Sequence, residues 1–293
     1  MNTKPDARTA AKASIDALLT TLKEQLAQPG QSLLPLLGAM SRFSKYSLAN
    51  QMLIFSQRPD ATRVQCYRAW NNAGYQVRKG ERGIAIYAPM RFTRAEPGDE
   101  SGPLEPHSRT GFRVAYVFDI TQVDPLDGTP AESTPAPSDA GNTDAHRALE
   151  VLKAFLVGHN VELEYLALAP GLLGYTDGRR ITCGQGQASH VEFATLAHET
   201  THVLLHFARN ADGAAGTRPD LTTRETEAEA VTYLLCAQLG IKGTEASVEY
   251  IQSYRGTPDT LDLSLERIRA TAQRLINELD AIRFNISDDP GAA

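Results

Sequence analysis

The chain has 293 residues, of which 42% are hydrophobic and 22% charged, with a formal net charge of -6. That length holds one large or two medium domains with a sizeable core, and the ordinary apolar content excludes disordered, fibrous and integral-membrane classes. Cys66, Cys183 and Cys236 are far apart and odd in number, which excludes a disulfide framework and a C-x-x-C metal clip and fits reduced thiols in a cytoplasm. The polar start of the sequence reads as carrying no secretory signal.

The charge is unevenly spread. Residues 1–124 hold 16 Lys+Arg against 11 Asp+Glu, a balance of +5, and the remainder holds 13 against 24, a balance of -11. Two domains with different partners are the expectation. Along the first half, apolar residues at helical spacing (Ile15, Leu18, Leu22, Leu26) predict a helix over 10–26 that ends at Pro29-Gly30. A short helix over 33–40 follows, then one capped by Ser44 or Ser47 that runs to about Gln57. Residues 66–73, with Trp70, read as a further helix. Strands are expected at 75–78 and 84–89 around the turn 79–83, and a third at 112–119. Residues 96–109 read as a hairpin loop. The first half is thus a small α+β domain, residues 1–124.

Its composition carries a second signal. Between Arg42 and Arg94 stand ten basic residues opposed only by Asp60 and Glu81, and the same window holds 8 of the chain's 20 aromatic residues. Basic side chains attract phosphates, and aromatic faces stack on unpaired bases, which a duplex hides. Single-stranded DNA is the expected partner, with Lys45, Tyr46, Arg63, Trp70, Arg78, Lys79 and Arg82 as candidate contacts because they flank turns or helix ends.

Residues 125–143, rich in Pro, Ser, Thr, Asp, Gly and Ala and lacking aromatics, cannot bury a core and read as an extended, flexible linker. The second domain, residues 144–293, opens with a helix over 144–158 and a strand over 161–166. The stretch 174–180 reads as a turn leading to a strand at 180–183, which lies just before the next helix and could offer its backbone to an extended peptide. Helices are expected over 245–255 and 263–283, and a polar loop over 208–222.

Residues 191–208 form an apolar run without Gly or Pro that contains His198-Glu199-Thr200-Thr201-His202, an H-E-x-x-H motif. On a helix, His198 and His202 stack one turn apart, so two imidazoles reach one ion, and Glu199 stands beside them as general base. A third ligand is expected from the acidic helix that starts near Arg224. Glu225 and Glu229 share its face, and Glu227 is expected to point elsewhere. Glu229 is the expected ligand because it lies deeper in the apolar stretch. Glu225 and His206 are expected behind the ligands, orienting them. The ion is expected to be Zn2+, with Mn2+ or Co2+ as options. The position of a metzincin's third histidine is Ala208, so that class is excluded.

These residues resemble a known family. The stretch Phe43-Ser44-Lys45-Tyr46-Ser47-Leu48-Ala49-Asn50-Gln51, the turn Arg58-Pro59-Asp60-Ala61, Tyr67-Arg68-Ala69-Trp70, Val77-Arg78-Lys79-Gly80-Glu81-Arg82-Gly83-Ile84 and Val114-Ala115-Tyr116-Val117-Phe118-Asp119 are similar to the N-terminal domain of ArdC-type antirestriction proteins. The HETTH motif, His206 and residues 225–241 resemble the zincin-like domain of the same family. The resemblance implies single-stranded DNA binding by the first domain and an IrrE-type metallopeptidase-like second domain, mainly helical with a small sheet. It also implies Glu229 at the ligand position and a role in protecting incoming mobile DNA from restriction.

Three functions remain open on sequence grounds. One is an antirestriction protein that binds single-stranded DNA and carries a zinc-dependent peptidase-like site acting on an unknown protein or peptide. Another is an intracellular zinc peptidase that cleaves a repressor, its N-terminal domain binding protein. The last is a binding protein whose metal is structural. Each places the chain in the cytoplasm, away from a membrane.

Overall fold

The computed structural model describes residues 7–28, 30–93, 108–126, 142–207, 219–241 and 257–287. The chain is mixed α and β and divides into two compact units, Met1–Leu22 with Ala49–Ala131, and Lys23–Leu48 with Glu132–Ala293. Residues 23–48, expected within the first domain, therefore cluster with the second half of the chain. Among the described residues no helix is long and apolar enough to cross a membrane.

The first unit contains most of α1 (Ala7–Leu26) and of α3 (Leu48–Gln57), then β1 (Val64–Cys66), α4 (Tyr67–Asn72), β2 (Tyr75–Val77), β3 (Ile84–Thr93), β4 (Ser108–Asp119) and β5 (Val123–Pro125). Strand β4 is central in a sheet of order β1-β4-β3, antiparallel throughout, while β2 pairs with β5. The expected pairing of residues 75–78 with 84–89 is therefore corrected: the turn between them redirects the chain, and each strand joins a different sheet. Pro125, expected at the start of the linker, ends β5 opposite Tyr75. A proline is tolerated there because β5 lies at a sheet edge, where its missing N–H costs no ladder bond. Residues 127–141 and 94–107, which hold most of the expected linker and hairpin loop, lie outside the described residues.

Two side chains of α3 complete the free edge of β3. Asn50 receives the backbone N–H of Tyr87 at 2.8 Å and donates to its carbonyl at 2.9 Å. Gln57 does the same for Ala85, at 2.9 Å in both directions. Each amide carries one donor side and one acceptor side, so it imitates the backbone of a neighbouring strand. At the other end of the sheet Asp119 is 1% exposed. Its carboxylate accepts from the backbone N–H groups of Thr62, Arg63 and Thr121 and from the Thr121 hydroxyl, at 2.6–3.0 Å. Burial alone would raise its pKa, but these hydrogen bonds prevail and hold it below the ordinary aspartate value.

The second unit places α2 (Leu34–Arg42), α5 (Asn142–Gly158), α6 (Ser189–His206), α7 (Leu221–Leu239) and α8 (Pro258–Ser287) around a sheet of β6 (Glu162–Leu166), β8 (Arg180–Gly184) and β7 (Gly174–Thr176), in that order. Strands β6 and β8 run parallel, and β7 and β8 form an antiparallel hairpin. The expected turn over 174–180 is thus a strand plus a tight turn at Gly178, whose φ of +91° suits glycine. Strand β8 is paired on both sides, so its backbone is not open to a peptide; β6 and β7 are the edge strands. Helix α6 packs on α5 and α7, and α7 packs on α8 and α2. Helix α7 is capped by Asp220, which accepts from the N–H of Thr223 at 2.9 Å, and it stops at Gly240 in the left-handed region, φ 68°. The loop expected over 208–222 is described only from 219 onward, and the helix expected over 245–255 lies outside the described residues.

Candidate metal centre

The H-E-x-x-H motif occupies the middle of α6, where Phe193, Leu196 and Ala197 are fully buried and anchor the helix against its neighbours. The Nε2 atoms of His198 and His202 face each other at 3.0 Å. Oε2 of Glu225, in the first turns of α7, lies 3.3 Å from Nε2 of His198 and 3.5 Å from Nε2 of His202. Three ligand atoms from two helices thus converge, and together they form a group able to hold a metal ion. Atoms bound to a tetrahedral ion at zinc-like distances stand about 3.3 Å apart, so the donor set fits such an ion in type and spacing.

Glu229, expected as the third ligand, takes a different place. Its Oε1 lies 3.3 Å from Nδ1 of His198, the ring nitrogen turned away from the convergence point. Glu225, expected behind the ligands, occupies the position expected of Glu229. The two differ by one helical turn, and the crossing of α7 over α6 brings the nearer turn to the Nε2 atoms and the next to the Nδ1 side.

His202 is held on its far side as well. Its Nδ1 lies 2.9 Å from Nδ1 of His206, whose Nε2 lies 3.0 Å from Oε2 of Glu227. Glu227 is wholly buried; its Oε1 accepts from Ser264 of α8 at 2.7 Å and lies 3.5 Å from the Arg267 guanidinium. His206, expected behind a ligand, lies between His202 and Glu227. Glu227 was expected to point elsewhere, and it does leave the ligand atoms, but inward rather than to solvent. Its position four residues before Val231 and seven before Leu234, on one apolar helix face, was the available signal for a buried partner.

Charge follows from this crowding. Burial works against a charged imidazole, yet the carboxylates of Glu225 and Glu229 overcome it and push His198 up to about 10. Burial likewise opposes ionisation of Glu225, but the two histidines hold it well below the ordinary carboxylate range. Glu199 is 8% exposed, and burial is the main cause of its raised pKa, with the charges of Glu225 and Glu229 adding to it. A carboxyl poised in this way can both accept and return a proton.

Gly174 of β7 lies against the same helix. A Cβ there would come within 2.7 Å of the Thr195 methyl and 3.6 Å of Cγ of Glu199. The absent side chain lets the edge strand run directly over the motif. Leu172, Leu173 and Tyr175 beside it are 41–48% exposed.

The expected nucleic-acid contacts are placed less uniformly. Trp70 is fully buried in a cluster with Tyr75 and Val123, and its indole N–H donates to the Phe118 carbonyl at 2.8 Å. It cannot meet a base, which corrects the expectation; its size is used to fill the core under α4. The Arg63 guanidinium sits 5.1 Å from its ring. Arg78 pairs with Glu81 and Asp124, each at 3.1 Å, and donates to the Thr121 carbonyl, so it ties the turn to β5. Lys79 and Arg82 are exposed in that turn. Lys45 and Tyr46 belong to the second unit.

Residues 6–118 match the family model for the N-terminal domain of the anti-restriction factor ArdC. An uncharacterized protein of Bacillus anthracis, pXO2-81, is 25% identical over 319 residues, covering 95% of this chain and 52% of that protein. The chain therefore spans about half the length of that relative. Among solved structures, the metal-free antirestriction ArdC protein from the R388 plasmid is similar at 19% identity, covering 94% of this chain and 98% of that one, with a TM-score of 0.51. Its Mn(II)-bound form gives 18% identity, coverage of 95% and 98%, and the same TM-score of 0.51. Residues 6–118 are thus similar to the ArdC N-terminal domain, and the chain as a whole shares the fold of the R388 ArdC protein.

Proposed function

We propose that this chain is an antirestriction protein whose first unit binds single-stranded DNA and whose second unit is a peptidase-type metal centre. The observation that carries the second part is the convergence of the His198, His202 and Glu225 ligand atoms beside a buried Glu199. The two imidazoles and one carboxylate suit zinc and also manganese, the metal of the Mn(II)-bound ArdC structure. When bound, a divalent ion supplies a Lewis acid that makes water nucleophilic near neutral pH.

The residues of the chain divide the remaining work. His198, His202 and Glu225 would hold the ion. Glu229 and His206 fix the orientation of the two rings from behind. Glu199, buried beside the two histidines, would take the proton of the attacking water and pass it to the leaving nitrogen. Edge strand β7 aligns an extended peptide by backbone hydrogen bonds, and the exposed Leu172, Leu173 and Tyr175 favour apolar side chains beside it.

The positive balance of residues 1–124 and the match of residues 6–118 to the ArdC N-terminal family model support the DNA-binding part. Replacement of Glu199 by Gln separates the roles. The variant should keep its bound metal, measured by mass spectrometry, and lose all cleavage of an unstructured protein substrate such as casein. Retained cleavage would sink the assignment of Glu199. Wild-type protein that holds metal stoichiometrically but cleaves nothing would favour a structural metal instead.

A further inference from the structure

Of the aromatic residues expected to contact single-stranded DNA, Trp70 is buried. We infer that the stacking surface is the outer face of the β3–β4 hairpin, built from Tyr87, Phe112 and Tyr116, with Lys12 and Arg113 supplying phosphate contacts. The inference rests on the reading of the first unit as a binder of single-stranded DNA and assigns the residues that do it.

Phe112 and Tyr116 are 63% and 54% exposed, unusual values for rings of that size. They stand four residues apart on β4, so strand alternation puts both on one face with Val114 between them. Tyr87 lies directly across from Val114 in register, midway between the two. The Tyr87 and Phe112 ring centroids are 6.3 Å apart. Two residues of strand rise about 6.8 Å, so the three aromatic positions form a ladder whose steps match the reach of one nucleotide in an extended strand.

The ladder is held in place. The Tyr87 hydroxyl donates to Asp16 of α1. Burial and then this contact push the phenol up to about 12, so it stays a neutral donor. Just before β3, Gly83 lies against Tyr116: a Cβ there would come within 2.9 Å of the tyrosine Cβ. Any larger residue there would displace the ring.

A groove of about 610 Å3 runs along this face, lined by Lys12, Tyr87, Met90, Phe112, Arg113 and Tyr116 among others. Lys12 and Arg113 are both exposed; alternation starts Arg113 on the face opposite the rings, so it borders the groove from the side of the strand, and the groove combines apolar ring faces with cations at its rim. That pairing fits a polyanion with free base faces. A duplex lacks the free faces, and an acidic peptide lacks the flat rings to stack.

The test is fluorescence anisotropy of the full-length protein on a labelled oligothymidine and on a matched duplex across a salt series. Wild type should bind the single strand more tightly than the duplex. Phe112→Ala and Tyr116→Ala should each weaken single-strand binding by about tenfold or more while leaving the salt slope unchanged. Lys12→Ala with Arg113→Ala should flatten that slope by about 1.4. Phe112→Leu and Tyr116→Leu, which keep apolar bulk on the sheet, should lose affinity as the alanine variants do, with unchanged thermal unfolding. If wild type binds but the ring variants bind equally well, the platform is wrong and DNA binding stands. If wild type binds no single strand, or prefers duplex, the reading beneath it falls as well.

Discussion

The sharpest disagreement between neighbouring residues concerns Glu225 and Glu229, and it can be resolved by exchanging each for Gln. Glu225 approaches the Nε2 atoms of both histidines at 3.3 and 3.5 Å, whereas Glu229 approaches Nδ1 of His198 alone at 3.3 Å. Loss of an outer partner of a ligating histidine typically weakens metal affinity by about 10–100-fold. That range corresponds to about 1.4–2.7 kcal/mol. Gln at 229 still accepts a hydrogen bond from Nδ1–H, so Glu229→Gln should sit at the mild end, near tenfold. Glu225→Gln removes a charged ligand and leaves two imidazoles, so its loss should exceed the hundredfold limit of an outer partner. The assay is competition for Zn2+ and for Mn2+ against a chromophoric chelator, with folding checked by circular dichroism. A larger loss for Glu229→Gln than for Glu225→Gln would refute the geometric assignment and restore the sequence-based one.

Three further outcomes are expected. Asp119→Asn should destabilise the first unit by about 3 kcal/mol in urea unfolding, because the amide turns a donor toward N–H groups that all donate. In wild type the Asp119 carboxylate titrates lower in the folded than in the unfolded chain, so its contribution is present above the unfolded value near 3.9 and is lost as pH falls through the folded one. Unfolding at pH 7 and pH 3 should therefore show a smaller gap between wild type and Asp119→Asn at pH 3. Glu227→Ala should cost about 3–5 kcal/mol in thermal or urea unfolding of the metal-free protein, because Ser264 and His206 lose a buried partner; a cost under 1 kcal/mol would contradict the network.

Much of this was legible from residue spacing. The motif helix, the acidic helix after it and the shared face of Glu225 and Glu229 follow from the 3.6-residue repeat. Which of the two carboxylates meets the Nε2 atoms depends on where α7 crosses α6, and apolar depth along one helix carries no information about a crossing point. The fate of Trp70 shows a different limit. Aromatic enrichment between residues 42 and 94 is a property of composition, and composition does not say which rings face inward. Trp70 went to the core, while Phe112 and Tyr116 lie beyond that window on a strand whose outward face is defined only by its register with β3. The β2–β5 pairing joins residues separated by the whole β3–β4 hairpin, and local turn chemistry favoured the nearer partner.

The amides of Asn50 and Gln57 have a consequence for the protein in a crowded cell. An edge strand with its N–H and carbonyl groups unclaimed is a template on which another chain can grow a sheet. At Ala85 and Tyr87 those groups are already taken by side chains of α3, so an incoming strand finds nothing to bond. The two amides thus close this stretch of the rim to other copies, and replacing both with Leu would be expected to open it to strand addition and promote self-association.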